Sequence, residues 1–257
     1  MKTLIRFLLQ NIPRKYLQRV AIAGSRLMVP FLKGHQIECP VCGKHFRKLL
    51  PYGYVISRKN ALCPYCLSLE RHRLIWLFLK RETPFFTQPC QVLHLAPEYC
   101  FMKYFSAIQG EGYITADLES PWAKVKMNVE EIPFPENHFD VILCNHLLEH
   151  VEDDKKALRE LFRVLKPGGW ALLQSPVDAS REKTYEDRAI TAPEEREKHF
   201  GQKDHLRAYG RDYTDRLREA GFTVNPLDYV AVLGEDLQKK HALPQNELIY
   251  FAEKKDC

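Results

Sequence analysis

The segment 139–170 constrains the fold of this 257-residue chain more than any other. Phe139-Asp-Val-Ile-Leu-Cys144 is a short apolar run, as a strand buried on both faces requires. The chain then turns charged. Glu152, Asp153 and Asp154 open a helical pattern and Arg163 and Lys166 close it, the order a helix dipole favours. Leu158, Leu161, Phe162 and Leu165 form its apolar stripe. Pro167-Gly168-Gly169 stops the helix, and Trp170–Gln174 reads as the next strand. Asn145 and His146 stand where the first strand ends, and open α/β sheets bind ligands outside the carboxyl ends of their strands.

The same alternation extends along the chain. Strand patterns fall at 91–95, 112–117, 124–128, 139–145, 170–175, 222–230 and 247–253, with helical patterns between most of them. This predicts an α/β fold with a seven-stranded, mostly parallel sheet and helices on both faces. Pro84 and Pro89 mark the boundary before it, and Leu69, His72, Leu74, Ile75, Leu77 and Phe78 predict a connecting helix over 68–82. The expected units are 1–37, 38–82 and 90–257.

Charge is concentrated at the start. Residues 1–37 hold Lys2, Arg6, Arg14, Lys15, Arg19, Arg26 and Lys33 and no acid. Subtracting these 7 from the 38 basic residues leaves 31 against 33 acids, so the net positive charge lies in this leader. Leu4, Ile5, Leu8, Leu9 and Ile12 follow a helical period, and Pro13 opens a second pattern through Leu17, Val20, Ala21 and Gly24. Basic amphipathic helices of this kind meet an anionic membrane surface, meet nucleic acid, or pack on the protein's own core. No apolar run reaches the roughly 18 residues of a spanning helix, and Arg6 interrupts the only signal-peptide-like stretch. The expected location is cytoplasmic, with peripheral membrane contact through residues 1–37 as one partner reading.

Cys39-Pro-Val-Cys42 and Cys63-Pro-Tyr-Cys66 are two C-x-x-C pairs separated by 20 residues, a spacing close to that of structural zinc sites. Four thiolates saturate tetrahedral zinc and leave no place for a catalytic water, so the zinc-binding module is expected to be structural. Disulfides and redox pairs are the alternatives; a reducing compartment disfavours the first and the lack of a βαβ context the second. His35, His45 and His72 read as surface histidines, and Cys90, Cys100, Cys144 and Cys257 as ordinary thiols.

Phe139-Asp140-Val141, Leu147-Leu148-Glu149-His150-Val151 and Leu165-Lys166-Pro167-Gly168-Gly169 together resemble class I S-adenosylmethionine-dependent methyltransferases, in particular the type 11-like group, over residues 90–253. The resemblance implies a Rossmann-like domain that binds S-adenosylmethionine. Val92-Leu-His94-Leu-Ala96-Pro-Glu98 resembles the first motif with departures: His94 replaces the usual acid, and Ala96 and Glu98 replace glycines. Glu98 either meets the cofactor's ammonium or sulfonium charge or starts the next helix. Asp117, at the end of the second strand, takes the ribose hydroxyls, with Leu118 beside the adenine. Asn128 stands for the family's Asp and accepts from the adenine amino group, with the Val129 amide at a ring nitrogen; the alternative for Asn128 is a loop cap. Asn145 and His146 lie beside the expected sulfonium. His146 is the candidate general base, and His150, four residues on along an expected helical face, reads as structural.

Residues 178–214 form a polar insert after the fifth strand. The resemblance implies that it covers the methyl acceptor, with His205, Tyr209 and Arg211 lining that site; a solvated lid with a turn at Gly210 is the alternative. The implied activity is methyl transfer to oxygen or nitrogen of a small or lipid-linked acceptor. The rival readings are an RNA methyltransferase, for which the basic leader speaks, and a cofactor-binding protein without turnover, for which the altered first motif speaks.

Overall fold

The computed structural model describes residues 14–53 and 57–256. The expected helix over Leu4–Ile12 and the thiol of Cys257 lie outside the described residues. The chain divides into two compact units, one of residues 1–84, 99–101 and 228–247, the other of residues 85–98, 102–227 and 248–257.

In the first unit, helix α1 (Arg14–Leu27) and the short α2 (Val29–Leu32) lead into a hairpin of β1 (Lys33–Glu38) and β2 (His45–Phe46). A second hairpin pairs β3 (Leu50–Tyr52) with β4 (Arg58–Leu62). The hairpin thus begins inside the segment read as leader, because Lys33–Glu38 needs a partner strand for its backbone groups and finds it in His45–Phe46. Val20, Leu27 and Phe31 are 70%, 74% and 69% exposed, so this part of the apolar stripe does not pack on the described core.

Helix α3 (Glu70–Glu82) follows, and every residue from His72 to Leu79 is buried. His72 is therefore not a surface histidine: its Nδ1 accepts from the Leu69 amide at 3.1 Å and caps the helix start. Phe78 packs edge-on against Tyr229, in the first of two short helices, Tyr229–Leu233 and Glu235–His241, that complete this unit.

The second unit is built on a seven-stranded sheet. Its strands are β5 (Val92–Leu95), β6 (Tyr113–Asp117), β7 (Val125–Lys126), β8 (Phe139–Asn145), β9 (Leu165–Gln174), β12 (Thr223–Val224) and β13 (Phe251–Glu253), in the order β12-β13-β9-β8-β5-β6-β7. β5 pairs in parallel with both β6 and β8, β8 with β9, and β6 with β7; β13 alone runs against its neighbours. Each expected strand position holds a strand, but of 222–230 only Thr223–Val224 is strand, and Tyr229 and Val230 open a helix. Helix α4 (Tyr99–Gln109) follows β5, and helix α5 (Asp154–Val164) joins β8 to β9. Asp153 caps α5 by accepting from the Lys156 amide at 2.9 Å, and Ala157, Leu158, Leu161 and Val164 bury its inner face.

Two details differ from the sequence reading. The strand after α5 starts at Leu165 rather than Trp170. The Pro-Gly-Gly run is an irregularity inside β9: Phe139 pairs with Leu165 but Val141 with Trp170, and a Cβ on Gly169 would lie 2.9 Å from the carbonyls of both Asp140 and Lys166. Phe162 packs edge-on against Phe222 rather than into the buried stripe of α5. Beside them, Gly221 takes φ +109°, and a Cβ there would meet Phe162 Cζ at 2.8 Å. Gly221→Ala is expected to destabilise the protein by about 1–3 kcal/mol through steric overlap and backbone strain, measured as a lowered urea midpoint at unchanged m-value.

Candidate functional site

The strand order reverses between β5 and β8, since the chain adds β6 and β7 on one side of β5 and β8 and β9 on the other. Such a switch point opens a crevice at the carboxyl ends of the two strands, where α/β sheets bind ligands. Ala96, Pro97 and Glu98 leave β5 there, and Asn145 and His146 leave β8.

Ala96 sits at φ +45°, the left-handed conformation that glycine adopts most readily, and its amide donates to Ala116 O at 3.0 Å. The backbone course of a glycine turn is thus kept without the glycine, at a cost of about 1–2 kcal/mol. Glu98 is the N-cap residue of α4, but its carboxylate does not cap the helix. It bonds His94 Nε2 through Oε2 and accepts from Asn145 Nδ2 through Oε1 at 3.0 Å, reaching across the crevice. His94 is fully buried, and its Nδ1 meets the Tyr113 hydroxyl at 2.6 Å. His94 therefore supports Glu98 from beneath. Sequence reasoning missed Tyr113 because an aromatic at a strand start carries no sign of a hydrogen-bonding role.

Asn145 is 4% exposed, and its Oδ1 is buried without a hydrogen-bond partner. A buried, unpaired acceptor costs about 1–3 kcal/mol and is therefore informative at the mouth of a crevice. Beyond β6, Asp117 Oδ1 accepts from the amides of Glu119 and Ser120, both at 2.7 Å, and Leu118 is 61% exposed. Asn128 Oδ1 accepts from the Glu130 amide at 2.9 Å, the loop cap that was the alternative reading, while Val129 is buried.

Residues 146–152 form turns rather than the helical face expected for His146 and His150. His146 has φ +52°, held by its amide bond to Gln174 O at 2.7 Å. Its Nδ1 lies 3.4 Å from Glu149 Oε1, and its Nε2 is buried without a partner. Glu149 is 1% exposed, and its Oε2 accepts from Ser175 Oγ at 3.0 Å. Burial works to raise the Glu149 carboxyl; the hydrogen bond and charge of His146, a backbone bond and the charge of His150 together outweigh it, so the group lies below its ordinary value.

The insert holds itself with a two-stranded ladder of β10 (Tyr185–Glu186) and β11 (Arg207–Ala208), around helix α6 (Pro193–Phe200). Arg207, 3% exposed, ties it to the turn after β8 by donating to the carbonyls of Leu148, Val151 and Glu152. His205 is buried, which pushes its imidazole below the ordinary value, and its ring packs edge-on to His150 at 4.8 Å between centroids. Tyr209 departs from the expected lining role: it is 1% exposed and its hydroxyl donates to Leu148 O and Asp154 Oδ2, because a buried phenol must satisfy its hydrogen. Arg211 is exposed.

In the first unit, Cys39, Cys42, Cys63 and Cys66 converge, all sulfurs within 4.8 Å of one another. The two C-x-x-C turns are copies of one shape. Gly43 and Leu67 take φ +67° and +62°, their amides donate to Cys39 O and Cys63 O, and the Cys39 and Cys63 amides donate to Lys44 O and Ser68 O. Cys39–Cys66 and Cys42–Cys63 sulfurs lie 3.6 and 3.8 Å apart. Sulfurs about 2.3 Å from a tetrahedral zinc lie about 3.8 Å from one another. The described cysteines form no disulfide. A hydrogen bond with Cys42 holds the Cys39 thiol well below its ordinary value, while the bond with Cys39 pushes Cys66 up.

Arg73, 0% exposed, lies close by and donates to five backbone carbonyls: Asn60, Ala61, Ser68, His241 and Ala242. Burial lowers its pKa, and the charges of Cys39, Glu70, Cys63 and Cys66 oppose that. An arginine at the head of the apolar run Leu74–Leu79 carries no mark of burial of its own, since the carbonyls that bond it come from elsewhere in the chain.

Residues 107–173 match the methyltransferase domain family model. The curated relatives match over short stretches. The ubiquinone/menaquinone biosynthesis C-methyltransferase UbiE of Vibrio campbellii is 55% identical over 49 residues, 19% of this chain and 19% of that protein. The chain thus matches about a fifth of the length of such relatives. Among solved structures, the [4+2]-cyclase SpnF is similar at 14% identity and TM-score 0.48, covering 74% of this chain and 84% of that one. An S-adenosylmethionine-dependent methyltransferase from Mesorhizobium loti is similar at 16% identity and TM-score 0.46, covering 70% and 97%. The seven-stranded sheet has the order of a Rossmann-like α/β fold, and the segment that matches the family model lies within it.

Arg73→Met would leave five buried carbonyls without their donor and is expected to cost at least about 3 kcal/mol of stability in urea unfolding. Arg73→Lys is expected to recover less than half, since an ammonium lacks the planar fork that reaches all five.

Proposed function

We propose that the chain is an S-adenosylmethionine-dependent methyltransferase acting on a small or lipid-linked acceptor at an atom that loses its proton as the methyl group arrives. The observation that carries this reading is the buried, unpartnered Oδ1 of Asn145 beside the Glu98 carboxylate at the switch point. One neutral acceptor and one carboxylate at that place suit the ammonium of the cofactor's methionine end. When bound, the cofactor supplies an electrophilic methyl group.

The chain's own residues take the remaining roles. Asp117, at the end of β6, accepts the ribose hydroxyls, with Leu118, Asn128 and Val129 around the adenine. His94 is a positioning residue that fixes Glu98. His146 takes the acceptor proton at Nε2, with Glu149 orienting its ring from the Nδ1 side. The insert over 178–214 covers the acceptor, with Arg211 facing an anionic group. The cysteine cluster holds a structural zinc, which the sulfur spacing and the buried Arg73 cation support, since zinc with four thiolates is doubly negative. The exposed Val20, Leu27 and Phe31, with Arg26 in the last turn of α1 and Lys33 directly after α2, support contact with an anionic membrane surface. Among the described residues, no helix is long and apolar enough to cross a membrane.

Isothermal titration of the full, zinc-loaded chain with S-adenosylhomocysteine is expected to show one binding site; absence of binding by folded protein overturns the reading. His146→Gln is expected to lower turnover by about 10²–10⁴-fold while leaving S-adenosylhomocysteine affinity unchanged. Equal turnover in the two proteins would remove His146 from the role of base.

A further inference from the structure

We propose that Glu149, His150 and His205 form a second metal site, taking a divalent ion of the zinc class at the acceptor end of the sheet. One carboxylate oxygen of Glu149 and one ring nitrogen of each histidine lie within 4.8 Å of one another. Two imidazoles and a carboxylate are a ligand set that zinc, cobalt, nickel and ferrous iron share, and three protein ligands leave a coordination position open.

The hydrogen bonds around these residues prepare them for that task. His150 Nδ1 faces the carbonyl of Asp204 at 3.1 Å, and His205 Nδ1 faces the carbonyl of Phe200 at 3.1 Å. A carbonyl only accepts, so both rings carry their proton on Nδ1 and keep Nε2 as a lone-pair nitrogen. Metal-binding histidines are oriented in this way, by donating the other ring N–H to a backbone carbonyl. His205 is 4% exposed, and its Nε2 is buried without a hydrogen-bond partner. The large majority of buried side-chain nitrogens are hydrogen-bonded, and this one is not. Glu149 is held on its other side by the Ser175 hydroxyl, and each of its oxygens keeps a further lone pair.

The ligands come from two places in the chain. Glu149 and His150 lie on the turn after β8, and His205 lies in the insert, whose Leu206 amide also donates to Glu149 O at 2.8 Å. An ion here would fasten the insert to the end of β8. The inference does not rest on methyl transfer, and its readout needs neither cofactor nor acceptor.

The test is cobalt binding to the full chain. Zinc is quantified first, so that the cysteine cluster is accounted for, and cobalt(II) chloride is then titrated in while the visible and near-ultraviolet spectrum is recorded. One further equivalent is expected, with weak d–d bands and no thiolate-to-cobalt charge-transfer band. His205→Ala and His150→Ala are each expected to weaken that uptake by more than the roughly 10–100-fold that loss of an outer-shell partner costs. His150 is the milder variant, since its side chain is 29% exposed and its removal leaves no large cavity. His199→Ala, at an exposed histidine outside the cluster, is expected to bind as the wild type does. Absence of a further equivalent in the wild type, uptake marked by thiolate charge transfer, or uptake unchanged in His150→Ala overturns the proposal. A failure of S-adenosylhomocysteine binding would leave this result untouched.

Discussion

The hydrogen bond from Asn145 Nδ2 to Glu98 Oε1 spans the one place in the sheet where neighbouring strands lead the chain in opposite directions. Everything proposed for the site depends on that contact. It exists because β5 and β8 pair in register, Val92 with Val141 through Leu95 with Cys144, which brings the residues after each strand level with one another. The pairing in turn depends on apolar runs that tolerate burial on both faces. Glu98 is then held from below by His94 and Tyr113, so a carboxylate sits in the crevice with its direction fixed. Asn145 donates one amide hydrogen to Glu98 and keeps its carbonyl oxygen unpaired. A site that leaves a buried acceptor open accepts an energetic cost in the free protein that a donor-bearing ligand removes.

The first unit is organised by charge rather than by a large sheet. Four sulfurs meet within a few ångströms, and a fully buried arginine lies beside them with its donors spent on carbonyls. Those carbonyls belong to β4, to the second cysteine turn and to the end of the helix Glu235–His241, so a single side chain ties the cysteine region to a segment some 168 residues away. A buried guanidinium is costly unless its hydrogens are bonded and its charge is answered. The carbonyls do the first, and the Cys39 sulfur and the Glu70 carboxylate work toward the second.

The strands were legible because buried parallel strands require continuous apolar runs, and the residues at their carboxyl ends followed from the fold rule alone. The cysteine cluster was legible because ligand spacing is a local property. What failed to show was long-range or conformational. Ala96 looked like a lost glycine, yet its φ of +45° keeps the glycine shape. Asn128 turned out to cap its own loop, a role that side chain performs as readily as ligand binding. His146 and His150 carried helical spacing but lie on turns, since the helix begins only at Asp154. Tyr209 was read outward and packs inward, because the partner of its hydroxyl, Asp154, is 55 residues away in sequence. Arg73 and Arg207 carry no local mark of burial, and only the folded chain supplies the carbonyls that let them be buried.

The central claim is that the open carbonyl of Asn145 and the carboxylate of Glu98 receive the ammonium of the cofactor. The most direct test compares the affinity of the full chain for S-adenosylhomocysteine with that for the analogue lacking the α-amino group, in the wild type and in Asn145→Ala. A hydrogen bond to a charged group contributes about 1.5–3 kcal/mol, so the wild type is expected to bind the analogue at least about tenfold more weakly, with the gap narrowing in the variant. Equal affinity for the two ligands in the wild type would contradict the account.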